Sequence, residues 1–162
     1  MLQVPLDQHA QQEWLPQIEE YGKELKVLAR TYRFDLYCEE IKHSAFSFAE
    51  HLAIDRRKRY VNIDMPKEIR LRLGIPLDYA SPNVTTYTDQ QILAWHHIRE
   101  NYMFERATDR MNPATAALVI CGDEHLEPLA QRFRELGGRV QADSILQRPW
   151  YRPELFTIEY YL

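Results

Sequence analysis

Ala117-Leu118-Val119-Ile120-Cys121-Gly122-Asp123-Glu124-His125 is an apolar run that stops at a glycine and then delivers two acids and a histidine. Apolar residues in unbroken succession suit a strand covered on both faces, as in parallel sheets, and Gly122 allows a sharp turn after it. Beyond the turn, Leu126, Leu129, Ala130, Phe133 and Leu136 recur at helical spacing, and Gly137-Gly138 provides a stop. A strand that runs directly into a helix places the junction at the carboxyl end of the sheet, where open α/β folds put their ligands.

Upstream segments follow the same alternation. Ile18, Tyr21, Leu25, Leu28 and Tyr32 form a stripe that predicts a helix from about Pro16. Phe34 to Cys38 reads as a strand ending in Glu39-Glu40, and a short helix over about Ala45 to Leu52 follows, with Ser44 as its cap. Tyr60 to Ile63 reads as a further strand ending at Asp64. Residues 65–87 carry Pro66, Gly74, Pro76 and Pro82 with little periodicity, which predicts an irregular excursion, a lid or an edge loop. Thr88 with Gln91 has the spacing of a capping box, and Asn112-Pro113 marks a stop, so a helix of roughly six turns lies between them. Arg139-Val140-Gln141 reads as a weak strand, and Phe156 to Tyr161 as an edge strand within an aromatic C-terminal tail over 148–162. The expected fold is one α/β domain over 1–162, a three-layer sandwich with a mostly parallel sheet and helices on both faces.

Composition narrows the function classes. With 27 % charged and 45 % apolar residues in 162, the chain is of globular type. A net charge of −4 gives no global attraction to phosphate backbones, so no nucleic-acid partner is expected. The basic run Arg56-Arg57-Lys58-Arg59 reads as a solvated turn entering a strand. No apolar stretch reaches membrane-spanning length and no signal pattern opens the chain, so a cytoplasmic protein without a membrane partner is expected. Cys38 and Cys121 are expected to be reduced and buried. Tyr151, Phe156, Tyr160 and Tyr161 offer an aromatic surface for the domain or for a homodimer.

Three strand ends supply Glu39-Glu40, Asp64 and Asp123-Glu124-His125, and in a parallel sheet they share one rim. Gathered acids repel one another unless a cation, a proton or an arginine balances them. On a helical wheel Ile92, Trp95, Ile98, Tyr102 and Met103 form an apolar arc that contains Arg99, with Arg106 seven residues on. Arg99 is therefore expected either to hold Glu39 or Glu40 in its charged form, or to snorkel past Trp95 into solvent. His96 and Glu100 sit one turn apart, a spacing compatible with chelation or with an incidental pair. His125 falls in the first helical turn, where backbone N–H groups favour a neutral ring able to bind metal or act as a base; the alternative is a packing histidine behind an Asp123 cap.

With these residues in place, the chain resembles the TraB / ChaN / erythromycin-esterase-like superfamily. The similarity rests on the strand with its acidic pair at Glu39-Glu40, on Arg99-Glu100-Asn101-Tyr102-Met103, and on the strand with Gly-x-x-His at Gly122 and His125. The family pattern also has an early strand with a second Gly-x-x-His. Val4-Pro5-Leu6-Asp7-Gln8-His9 is its nearest match and lacks the glycine, which makes His9 the nearest counterpart. Some members of that superfamily are metal-dependent hydrolases or proteases, and one branch is implicated in haem binding, so the resemblance implies a site without naming a substrate.

Two functions are expected from this reading. One is a hydrolase acting on a small-molecule or peptide substrate, with Glu39, Glu40, Arg99 and His125 at its centre. A divalent ion, manganese or zinc, would be held there by Glu40, Asp123, His125 and His9. The other is a binding or assembly module that keeps the fold without the chemistry.

Overall fold

Strand β1 (Leu36–Glu39) is the axis of a three-stranded sheet, with β2 (Arg59–Asn62) and β3 (Ala117–Ile120) hydrogen-bonded to it on either side in the order β2-β1-β3. Both pairings are parallel, and Cys38 lies in register with Val61 and Val119. This computed structural model describes residues 8–41, 47–79 and 86–149, with side chains from residue 15 onward. The chain is thus an α/β protein built on a small parallel sheet.

Because side chains alternate along a strand, β1 feeds two separate cores. Tyr37 packs with Leu25 and Ala29 of helix α1 (Gln8–Tyr32) and with Ala49, Leu52 and Ala53 of helix α2 (Phe48–Asp55). Leu36 and Cys38 instead join Ile63, Met103 and Ala107 of helix α4 (Asp89–Thr108) and Leu129 of helix α5 (Asp123–Glu135). Helix α3 (Lys67–Arg72) lies between β2 and α4 in sequence.

Several boundaries differ from expectation. Helix α1 runs through Pro16 rather than starting there, and Tyr32, the last residue of its expected stripe, is exposed and bonds Gln141. The expected strand from Phe34 begins at Leu36, although the Asp35 backbone already donates to the Ala116 carbonyl at 2.8 Å and accepts the Arg59 N–H at 3.3 Å. Ser47 caps α2 by accepting the Glu50 N–H at 2.8 Å; Ser44, the expected cap, lies outside the described residues. The capping box of Thr88 and Gln91 forms as expected, but α4 ends at Thr108, ahead of the turn around Asn112. Arg139 to Gln141 is not a strand: it holds one apolar residue and no described strand pairs with it. The Phe156 to Tyr161 strand and the rest of the aromatic tail from residue 150 lie outside the described residues.

Within the excursion over 65–87, the described residues 65–79 pack against α4. Met65, Ile75 and Tyr79 are buried in a third cluster, with Ile92, Trp95, Ile98 and Tyr102 of α4 packed against them. The expected apolar arc of α4 therefore divides: its first part meets the excursion, and Met103 meets the sheet. At the end of α5, Gly137 adopts φ +89°, and a Cβ on Gly138 would lie 2.8 Å from the Phe133 carbonyl. Among the described residues no helix is long and apolar enough to cross a membrane.

The Arg56–Arg59 run spans the turn after α2 and the first residue of β2, and two of its side chains are tied to neighbouring backbone. Arg56 donates to the Ala29 carbonyl at 3.0 Å and Arg59 to the Arg110 carbonyl at 2.7 Å. Both cysteines are free, and burial pushes each thiol up to about 12, which removes them as ready nucleophiles.

Because Leu36 is fully buried on the central strand, Leu36→Ala should destabilise the fold by about 2–5 kcal/mol. Leu93→Ala, on the exposed side of α4, should change stability by no more than about 0.5 kcal/mol. Urea unfolding followed by circular dichroism checks the pair.

Candidate functional site

Glu39 and Glu40 are neighbours in sequence and point to different surroundings. Glu40 enters the region between β1, α4 and the start of α5. There its Oε1 pairs with Arg99, and its Oε2 accepts the Gly122 N–H at 2.9 Å. Glu39 turns toward the α2 side, where Ser47 and Tyr60 donate to its Oε2. Of the two acids expected at one site, only Glu40 is brought to Arg99 and His125.

The charge states follow from these partners. Burial works to raise the Glu40 pKa, and Arg99, His125 and the Gly122 N–H more than offset it, so the carboxylate is held below its ordinary value. Burial dominates at Glu39 and raises its pKa despite the hydrogen bonds from Ser47 and Tyr60.

Arg99 does not snorkel. It is 8 % exposed, reaches Glu40, donates to the Tyr79 hydroxyl at 2.8 Å, and lies 3.7 Å from Asp64, which Arg70 also holds. The arginine thus links the end of β1 to the packed excursion, through a tyrosine and an aspartate that the sequence pattern had not marked as its partners.

His125 is fully buried at the third position of α5. Its Nδ1 lies 3.1 Å from Glu100 Oε1, which makes that nitrogen the N–H donor to a carboxylate. Glu100 is itself 2 % exposed, and its second oxygen lies 3.2 Å from His97 Nδ1. The one-turn spacing of His96 and Glu100 does not bring the two together among the described residues: His96 stands beside Tyr79, with its ring centroid 5.1 Å from that of His125. Burial and the neighbouring His125 lower the His96 pKa. Spacing along α4 could not choose between His96 and His97, because only the rotation of the helix against α5 decides which one meets Glu100.

The other ring nitrogen of His125 has no such partner. Among the described residues Nε2 is buried without a hydrogen-bond partner, and Oε1 of Glu40 and Oε1 of Glu124 each lie 3.8 Å from it. Two carboxylates beside a bare ring nitrogen call for a proton, a donor hydrogen or a cation between them. Glu124, rather than the expected Asp123, is the acid that approaches: Asp123 is exposed and accepts from Ser144 at 2.5 Å. Gly122, not Asp123, occupies the helix N-cap, and its φ of −58° is open to any residue. A Cβ there would sit 3.0 Å from the Glu124 carboxylate, the end of a side chain that is 54 % exposed and free to move aside. The side chain of His9, in the first turn of α1, lies outside the described residues.

Among the described residues no three His, Cys, Asp or Glu side chains are grouped to hold a metal ion by themselves. No protein-family model, curated protein or solved structure matches the chain.

Opposite pKa shifts predict opposite pH behaviour for the two neighbouring acids. Glu40, with a lowered folded pKa, contributes stability that is present above the unfolded carboxylate pKa and lost as pH falls through the folded value. Glu40→Gln should cost about 3–5 kcal/mol at neutral pH, because it leaves buried Arg99 with only Asp64, 3.7 Å away and shared with Arg70, as an acid. Glu39, with a raised folded pKa, costs stability as pH rises from the unfolded value through the folded one. Glu39→Gln should flatten that segment of the profile without a comparable loss. Urea midpoints of both variants between pH 3 and 8, about the range in which carboxylates titrate, test the contrast.

Proposed function

We propose that the chain is a hydrolase in which His125 activates water at the carboxyl ends of the strands. The observation that carries this reading is the asymmetry of the ring, with Nδ1 tied to the Glu100 carboxylate and Nε2 buried without a partner. A carboxylate on Nδ1 fixes the tautomer and stabilises the imidazolium that forms when Nε2 takes a proton from water. Glu40 then sits beside the charged ring, and Arg99 is the positioning residue that keeps Glu40 ionised.

The donor types at Nε2 also suit a divalent ion. Imidazole nitrogen with carboxylate oxygen is a zinc or manganese combination, and a carboxylate on the far nitrogen is the usual outer partner of a metal-bound histidine. His125 and Glu40 would hold the ion, which lowers the pKa of a water it binds. A small-molecule or peptide substrate, a cytoplasmic setting and a three-layer sandwich with helices on both faces belong to the same reading. The two cores fed by alternate residues of β1 support the last of these.

A specific observation favours the second reading, a non-catalytic binding or assembly module that retains a TraB-like fold. His125 is 0 % exposed, and grooves of about 420 Å³ and 430 Å³ elsewhere on the surface do not have it on their walls. Under that reading the network from Asp64 to Glu100 is structural.

Thermal melts of wild type, Glu124→Gln and His125→Ala with manganese, zinc or EDTA should separate these readings. Paired assays on chromogenic ester, phosphate and peptide substrates complete the test. Under the metal-dependent form, an ion at about a hundred times its dissociation constant stabilises wild type by about 2.7 kcal/mol. The shift falls in Glu124→Gln and vanishes in His125→Ala. Turnover that EDTA leaves intact and His125→Ala abolishes assigns the histidine as a base alone. Absence of both shift and turnover on every substrate favours the binding module.

A further inference from the structure

The outer edge of β2 carries features that the His125 site does not use. Arg59 and Ile63 give their N–H groups to the Asp35 and Glu39 carbonyls at 3.3 Å and 2.9 Å. In a parallel pair the intervening alternate residues, Tyr60 and Asn62, therefore direct their backbone N–H and C=O away from β1. No described strand lies on that side, since β2 ends the sheet. A groove of about 430 Å³ runs along this edge, between β2 and the second half of α4.

The walls of the groove are positively charged. Arg59 and Val61 come from the strand, Tyr102 and Arg106 from α4, and Arg110 from the turn after it, while Asp64 supplies the acid. Asp64 is already neutralised by Arg70. Arg59 uses Nη1 on the Arg110 carbonyl, which leaves its remaining donors for the groove. Arg106 Nε is buried and has no hydrogen-bond partner, and among the described residues neither Arg106 nor Arg110 has an ion pair. On the same helix Arg99 meets Glu40, so seven residues apart one arginine has an internal acid and the other has none among the described residues.

We propose that the β2–α4 groove docks an extended acidic peptide of a partner protein, which pairs its backbone with Tyr60 and Asn62 and sets carboxylates on Arg59, Arg106 and Arg110. A groove between an edge strand and a helix is the geometry in which a peptide adds a strand, with backbone hydrogen bonds for affinity and flanking side chains for selectivity. Fork-shaped guanidinium groups suit carboxylates there. A free anion would engage the arginines and leave the outward backbone of Tyr60 and Asn62 unpaired, so the two observations together favour a peptide.

The test uses the full chain and fluorescein-labelled peptides of about six residues, a common strand length. One alternates glutamate with valine, a second alternates lysine with valine, and a third is the acidic peptide with N-methylated backbone. Anisotropy should show binding of the first only. Arg106→Ala and the exposed-side variant Arg110→Glu should each weaken it about tenfold or more, with the circular dichroism spectrum and melting temperature of Arg110→Glu unchanged. Equal binding of the acidic and N-methylated peptides overturns strand pairing, and no binding at about millimolar peptide overturns the site. Displacement of the peptide by inorganic phosphate alone reduces it to an anion site and also overturns the proposal. A concentration-dependent dimer that Arg110→Glu abolishes, without peptide binding, replaces the partner by a second copy of this chain.

Discussion

Arg99 carries a full positive charge to a position where it is 8 % exposed, and the rest of the polar interior is arranged around that fact. A guanidinium there costs several kcal/mol of desolvation unless acids meet it. Glu40 meets it from the end of β1, Asp64 from the end of β2, and the Tyr79 hydroxyl from the excursion. Glu40 in turn accepts the Gly122 N–H where β3 gives way to α5. One cation thereby joins three strand ends, the long helix and the excursion, and every one of those segments must be in place before the charge is satisfied.

The same constraint explains why Glu39 and Glu40 behave as opposites. A strand sends successive side chains to opposite faces, so a dipeptide of identical residues samples two environments. One face holds an arginine and a backbone donor, and the carboxylate there is favoured. On the other face are Ser47, Tyr60 and the aromatic side of the first core, where burial outweighs two hydroxyl donors. Ser47 links that acid to the start of α2 by capping the helix and donating to Glu39 at once. The helix entry and the acid's orientation are one arrangement.

The elements legible from residues alone were those with strong local chemistry. The apolar run before Gly122, the capping box at Thr88 and Gln91, and the paired glycines after α5 each appear at or near the expected place. Misplaced boundaries have tertiary causes. Ser44 and Ser47 are equally good caps by type, and Ser47, which caps α2, also donates to Glu39. Pro16 looked like a helix start, yet α1 runs through it. The proline-rich excursion shows no periodicity because its described buried residues, Met65, Ile75 and Tyr79, lie in the irregular segments before and after helix α3, which buries none of its own.

Local pattern was enough for a parallel α/β arrangement, for the strand-end rim, and for an arginine on an apolar helical stripe that required an acid, because periodicity and the cost of burying charge act over a few residues. Which acid answered, whether Glu124 or Asp123 approached His125, and whether His96 or His97 met Glu100 depended on how α4 and α5 rotate and pack against the sheet. Those rotations are set by contacts such as Met103 and Leu129 against Leu36 and Cys38, between residues far apart in sequence. A side chain's type states what partner it needs; the packing of distant elements selects the partner it finds.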